Sequence, residues 1–389
     1  YQEITRYWNG DGPKPSYETS LLGLNNMTEN LKLENCEIKK GVVASLLNDD
    51  YGSKNLPFKE HFIPGDINVV DYDLGANGLA YFDFDYIDNR PNGGGLKTWN
   101  NGWAYRNDNV DIQYNDDPLS NGYNVGWIES DEWMQYTLKE PKSGVYNIKV
   151  RVATEDNDVN FYFKINDNQV TEIIDVPSTG SWTDWSFISI DSLVVYDSDQ
   201  KFIFQVKNGT FNLGFFEFER ISDINLLQTK YISSFTLSEN SININFNKNL
   251  DNTLLLNKSD FKLYINEQEI DIESAAFSSS PRSIVLNFDN DIQPTDIITL
   301  SYIGNTIKSL DGEILNNFNN EIVENKISFI HTIPGKIEAE HFFNQKGIEL
   351  EASSDENGGL NIGSLDNGDY ADYYVNIESG GTYNAIYRS

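Results

Sequence analysis

The stretch "GVYNIKVRVA" (144–153) decides the fold. Tyr146, Ile148, Val150 and Val152 alternate with Asn147, Lys149 and Arg151. A period of two sends the two sets to opposite faces of an extended chain, which predicts a half-buried strand. "FYFKI" (161–165), "KFIFQV" (201–206) and "LGFFEFERI" (213–221) behave similarly, with turn clusters between them. Many short strands without helical periodicity predict an all-β chain built of two-sheet sandwiches or jelly rolls.

The same region is half of an internal repeat. "GYNVGWIESDEWMQYTLKEPKSGVYNIKVR" (122–151) aligns without gaps onto "GLNIGSLDNGDYADYYVNIESGGTYNAIYR" (359–388). Upstream, "IPGDINVVDYD" (63–73) matches "IPGKIEAEHFF" (333–343). The offsets are 237 and 270 residues, so the first copy carries 33 extra residues around "AYFDFDYIDNRPNGGGLKTWNNGWAYRNDNVDI". The second copy breaks off in mid-strand, and the chain reads as an internal piece of a longer polypeptide. Between the copies "SININF", "SIVLNF" and "DIITLSYIG" continue the alternation. About seven such runs predict an immunoglobulin-like sandwich acting as a spacer. In the amino-terminal segment Ser16 is placed to cap a short helix through Leu24. The expected division is 1–57 (the end of a preceding domain, with a linker), 58–222, 223–330 and 331–389.

Composition narrows the function. Of 389 residues, 60 are Asp or Glu and 28 are Lys or Arg, a formal net charge of −32. That balance opposes nucleic acid and anionic membranes, tolerates a neutral ligand and attracts Ca²⁺. No apolar run reaches membrane-spanning length. The single cysteine, Cys36, rules out an intrachain disulfide framework and reads as a small buried hydrophobe. The 3 His are too scattered for zinc, and "RNDNVDIQYNDD" (106–117) lacks EF-hand spacing. A nucleophilic triad, a P-loop and a dinucleotide fingerprint are missing from the sequence.

The pattern formed by Gly126-Trp127, Glu132-Trp133, Tyr136, "GVYNIKVRVA", "VPSTGSWTDW" (176–185) and "FNLGFFEF" (211–218) resembles the family 6 carbohydrate-binding modules. The resemblance covers about 63–221, and 333–389 as a partial second copy. It implies a jelly roll appended to a secreted glycan-degrading enzyme. It further implies a loop-edge cleft where two aromatic rings sandwich a sugar and an Asn bonds its hydroxyls; by position these are Trp127, Trp182 and Asn212. Physical logic agrees, since a neutral sugar offers ring faces and hydroxyls rather than charge. Trp99, Trp103 and Tyr105 in the insertion are secondary candidates. Trp185 reads as core, and Trp127 as standing at the start of a strand.

Glu129, Asp131 and Glu132 invite a glycosidase reading. On a strand, 129 and 131 would share a face while 132 opposes them, and "ESDE" lacks the E-x-D-x-E spacing of jelly-roll endoglucanases. No catalytic residue is expected in this segment. The resemblance also implies a structural Ca²⁺, held by Glu338 and Glu340 in the second copy. The first copy has Asn68 and Val70 there, with Glu219 near its end. In the second copy Ser364 replaces Trp127, which removes one wall of the cleft. The expectation is a monomeric, bacterial extracellular chain, secreted or on the cell surface, that binds a polysaccharide or oligosaccharide beside a glycoside hydrolase. "WNGDGPKPSY" (8–17) is similar to the tail of a (β/α)₈-barrel hydrolase. Two rivals stand beside this reading, a calcium-stiffened adhesion protein and a glycosidase with its acids in this fragment.

Overall fold

A computed structural model describes residues 2–35, 38, 43, 46, 47, 52–84, 101, 102, 104–106, 108–353, 359–366 and 368–388. Cys36, Trp99 and Trp103 lie outside the described residues.

The amino-terminal segment holds two helices, α1 (Gln2–Trp8) and α2 (Tyr17–Asn30). The Ser16 hydroxyl accepts from Thr19 N at 3.1 Å and caps α2, which runs past Leu24 to Asn30.

The first sandwich comprises β1 (Gly65–Asn68), β2 (Tyr81–Phe82), β3 (Ile112–Tyr114), β4 (Tyr123–Val125), β5 (Trp133–Thr137), β6 (Gly144–Ala153), β7 (Val159–Ile165), β8 (Asn168–Gln169), β9 (Ile174–Val176), β10 (Ser186–Val195), β11 (Lys201–Asn208) and β12 (Asn212–Ser222). Sheet one runs β10-β6-β12-β4-β3, with β1 also on β12. Sheet two runs β2-β5-β11-β7-β8, with β9 on β7. All of these pairings are antiparallel. The alternation of β6 is realised: Tyr146, Ile148, Val150 and Val152 are wholly buried. Opposite them sheet two sends in Phe161, Phe163, Phe202 and Phe204, and Phe216 and Phe202 cross edge to face at 5.6 Å.

The second sandwich faces one four-stranded sheet, β13 (Tyr231–Ser238), β14 (Ser241–Phe246), β18 (Ser283–Phe288) and β17 (Ile272–Phe277), against another. The latter comprises β16 (Gln268–Ile270), β15 (Phe261–Ile265), β19 (Ile298–Tyr302) and β20 (Phe318–Val323). Its core gathers Ile242, Ile244, Phe246, Leu286, Leu300 and Tyr302, the inward set of the alternating runs.

Beyond it lie β21 (Ile330–Ile333), β22 (Asn344–Lys346), β23 (Glu349–Ala352), β24 (Leu360–Gly363), β25 (Tyr370–Asp372) and β26 (Tyr374–Ile377), joined in pairs. The repeat holds here in atomic detail. Tyr136 donates to Val69 O at 2.8 Å, and Tyr373 to Ala339 O at 2.7 Å. The His61 ring meets Asp71 O at 3.0 Å, and the His331 ring meets His341 O at 3.2 Å. Gly122, Trp127 and Asp131 take positive φ, as do their repeat equivalents Gly359, Ser364 and Gly368.

Candidate functional site

Trp127 falls just after β4 rather than at the start of a strand. Its φ is 49°, a left-handed turn that swings the indole out of the pleat and leaves it 49% exposed. The turn is anchored by Gly126, whose N donates to Asp111 O at 3.0 Å. A Cβ at position 126 would stand 2.8 Å from Asn212 Oδ1, so only glycine lets the two loops approach this closely.

Asn212 opens β12 and is 6% exposed. Its Nδ2 donates to Trp182 O at 2.7 Å. The loop carrying Trp182 is also pinned through Thr179, whose N donates to Thr154 O at 2.9 Å. Asn212 and Trp182 therefore come together, the amide of one holding the loop of the other, and the Asn212 side-chain oxygen faces Gly126; Trp127, expected as the second wall, does not line the groove they share. The role of Asn212 here is to position the Trp182 loop against Gly126.

Beside Asn212 opens a groove of about 520 Å³. Trp182 and Trp185 line it, with Tyr114, Gln113, Asn124 and Arg151. Trp185, read from sequence as core, is a half-buried groove wall, because "SFISI" turns inward only after it and Gly214 opens the space beneath its ring. Tyr114 is largely exposed and continues a run of rings, 5.2 Å from Tyr123, which is 4.9 Å from Tyr105.

Arg151 would make the groove cationic, but it is neutralised. Its Nε and a terminal nitrogen donate to the two Asp117 oxygens at 2.8 and 3.0 Å, and its guanidinium lies 4.7 Å from the Phe187 ring centre. The Arg151 hydrogen bonds hold the Asp117 carboxyl below its ordinary value. What the groove offers is ring faces, amides, a closed ion pair and the exposed Asp116 carboxylate, a surface for a polyhydroxyl ligand without negative charge.

The remaining candidates are placed elsewhere. Tyr105 is partly buried against the core, with its hydroxyl donating to Asp71 and accepting from Lys59 Nζ at 2.7 Å, so it is built into the scaffold. Glu129 to Glu132 form a turn rather than a strand, which overturns the facing argument made for them. Glu129 N donates to Glu132 Oε2 at 2.9 Å, and the second copy repeats this with Asp366 N and Asp369 Oδ2 at 2.5 Å. The acids of "ESDE" and "DNGD" thus serve one turn. Burial and the charge of Asp83 push the Glu132 carboxyl well above its ordinary value.

The first copy does not fit the implied calcium. Val70 is buried and apolar, and Asn68 donates its amide to Asp71 at 3.4 Å. Glu219 is exposed on β12 opposite Asn147, beyond the end of the β1 pairing. In the second copy Glu338 and Glu340 are half-buried, and Glu338 pairs with Lys336. Two carboxylates are a thin donor set for an ion taking six to eight oxygens, and no larger cluster of acids and histidines gathers among the described residues. Among the described residues, no helix is long and apolar enough to cross a membrane.

Residues 106–218 match the model of the family 35 carbohydrate-binding modules, and residues 338–389 match that of family 6. Both copies of the repeat are therefore carbohydrate-binding module sequence. The chain thus matches carbohydrate-binding modules on both sides of its second sandwich, by the family 35 model in the first copy, for which family 6 was expected, and by the family 6 model in the second. Among curated proteins, the clotting factor G alpha subunit of Tachypleus tridentatus is 32% identical over 100 residues, 25% of this chain and 13% of that protein. Solved structures similar to parts of the chain include the family 6 module of Cellvibrio mixtus lichenase 5A in complex with cellotriose. That match is 24% identical over 29% of this chain and 87% of that one, with a TM-score of 0.27. A β-1,3-glucan binding family 6 module from Bacillus halodurans is 17% identical over 41% of this chain and 99% of that one, with a TM-score of 0.29.

Proposed function

We propose that the groove of the first sandwich binds a neutral polysaccharide without cleaving it, and that binding holds an attached glycoside hydrolase on plant or algal cell-wall glycans outside the cell. Carbohydrate binding follows from the family matches. The observation that carries the rest is the groove shared by Trp182 and Trp185 with the side-chain amides of Gln113 and Asn124, the neighbouring Arg151 charge being closed off by Asp117. Rings supply apolar area for the C–H face of a sugar, and amides supply directional bonds to its hydroxyls. Tethering raises the local concentration of substrate at a linked catalytic domain without new chemistry.

Affinity electrophoresis of the chain through soluble glycans tests this. Retardation by at least one neutral glycan is expected, with no release of reducing ends. A Trp182→Ala chain should weaken binding by about thirty-fold, the effect of removing an aromatic anchor of roughly 2 kcal/mol. Retardation that survives the change would move the site elsewhere. Absence of retardation by every glycan favours the adhesion reading, and released reducing ends favour a glycosidase.

A further inference from the structure

The segment read as a spacer is packed against the first sandwich along one side. Arg282 of the second sandwich has a side chain only 1% exposed, and it enters the loop between β10 and β11. There it donates to Asp199 Oδ2 at 2.5 Å and to Val194 O at 3.1 Å. Asp199 is already oriented by its own sandwich, through Tyr196 N at 2.8 Å and Asn166 Nδ2 at 3.0 Å. Asn249 supports the arrangement twice, taking Arg282 Nε on its Oδ1 at 3.1 Å and donating its backbone N to the Tyr196 hydroxyl at 3.1 Å.

A second contact lies at the other end of β11, where Lys207 Nζ meets Glu324 at 2.5 Å. A third joins Lys230 to Glu172 at 3.6 Å. The 8 residues of β11 separate the first two contacts by roughly 26 Å at the usual rise per residue. Between them Tyr162 and Lys164 project from the outer face of sheet two, since Phe161, Phe163 and Ile165 point into the core. Both are half-buried, and both feel the charge of Glu324.

A flexible spacer would meet its neighbour through exposed, exchangeable pairs. Arg282 behaves differently: it is buried and makes directed hydrogen bonds to the Asp199 carboxylate and the Val194 carbonyl, a geometry that one relative placement of the two bodies satisfies. We propose that the second sandwich is the fixed cover of the outer face of sheet two. The two sandwiches then move as one body, the outer face of sheet two is closed to glycan, and the loop-edge groove stays open. The last clause rests on the groove reading above; the rigidity does not.

Spin labels at Ser189→Cys and Glu273→Cys, in a chain carrying Cys36→Ser, read the distance between the sandwiches by pulsed electron resonance. One narrow distance is expected, broadening in Arg282→Ala while Lys207→Ala leaves it nearly unchanged. A broad distribution in the chain with Arg282 intact would overturn the proposal, whatever the variants do. For the covered face, Tyr162→Ala should leave glycan retardation unchanged, and loss of retardation through that change would overturn the closure of that face. If no glycan retards the chain, the groove reading fails while the distance measurement still decides the rigidity.

Discussion

Asn212 is the residue on which the groove depends most, because it bonds the Trp182 loop while its side-chain oxygen fills the space a Cβ on Gly126 would need. Gly126→Val should therefore weaken glycan binding through steric displacement of Asn212, with the strands intact; unchanged binding in an electrophoretic comparison would contradict this. Glu132 carries a different prediction. Its carboxyl is raised in the folded state, so its share of stability is full below the ordinary value of 4.5 and is lost as pH rises through the raised one. Urea midpoints at about pH 4 and about pH 7 should fall more in the natural chain than in Glu132→Gln. An equal or steeper fall in the variant would contradict the assignment. At this scale the sequence was only partly legible. Trp182 and Asn212, named from the sequence, do share one groove, whereas Trp127 is not among its walls. Left-handed turns at Trp127 and Asp131 are invisible to a period-two reading, which placed them in strands. Trp185 and Tyr114 were missed because their exposure depends on packing against distant strands.

Among the elements, β6 and β12 carry the site. Val152 lies opposite Leu213 and Ala153 opposite Asn212, so the register of this one pair places the amide beside the Trp182 loop. Arg151, on the outer face of β6, reaches back 34 residues to Asp117. The Asp117 side chain is 1% exposed, so Asp117→Ala leaves an uncompensated cation and should cost about 3 kcal/mol in chemical unfolding. Because its carboxyl is held below 3.8, that contribution is present above the ordinary carboxylate range and is lost as pH falls through the depressed value. A loss that persisted undiminished in strong acid would contradict the pairing. The strands themselves were legible, since burial alternates along β6 and β7 as their sequences do. The ion pair was not legible, because an acid in a loop and an arginine on a strand carry no local signal of each other.

For the whole molecule, the two sandwiches should unfold together, with one calorimetric transition covering both; well-separated transitions would argue against the buried Arg282 and Asp199 contact. The internal repeat was legible from end to end, because turn-forming positions and buried tyrosines recur at fixed offsets. The docking of the second sandwich was not, since alternation reports which face of a strand is buried but never what buries it. The central claim is that indole rings at the loop edge of the first sandwich receive the sugar. Ultraviolet difference spectroscopy during titration with a retarding glycan tests it most directly. A saturable tryptophan perturbation that disappears in Trp182→Ala is the predicted result, and an undiminished perturbation in that variant would contradict the account.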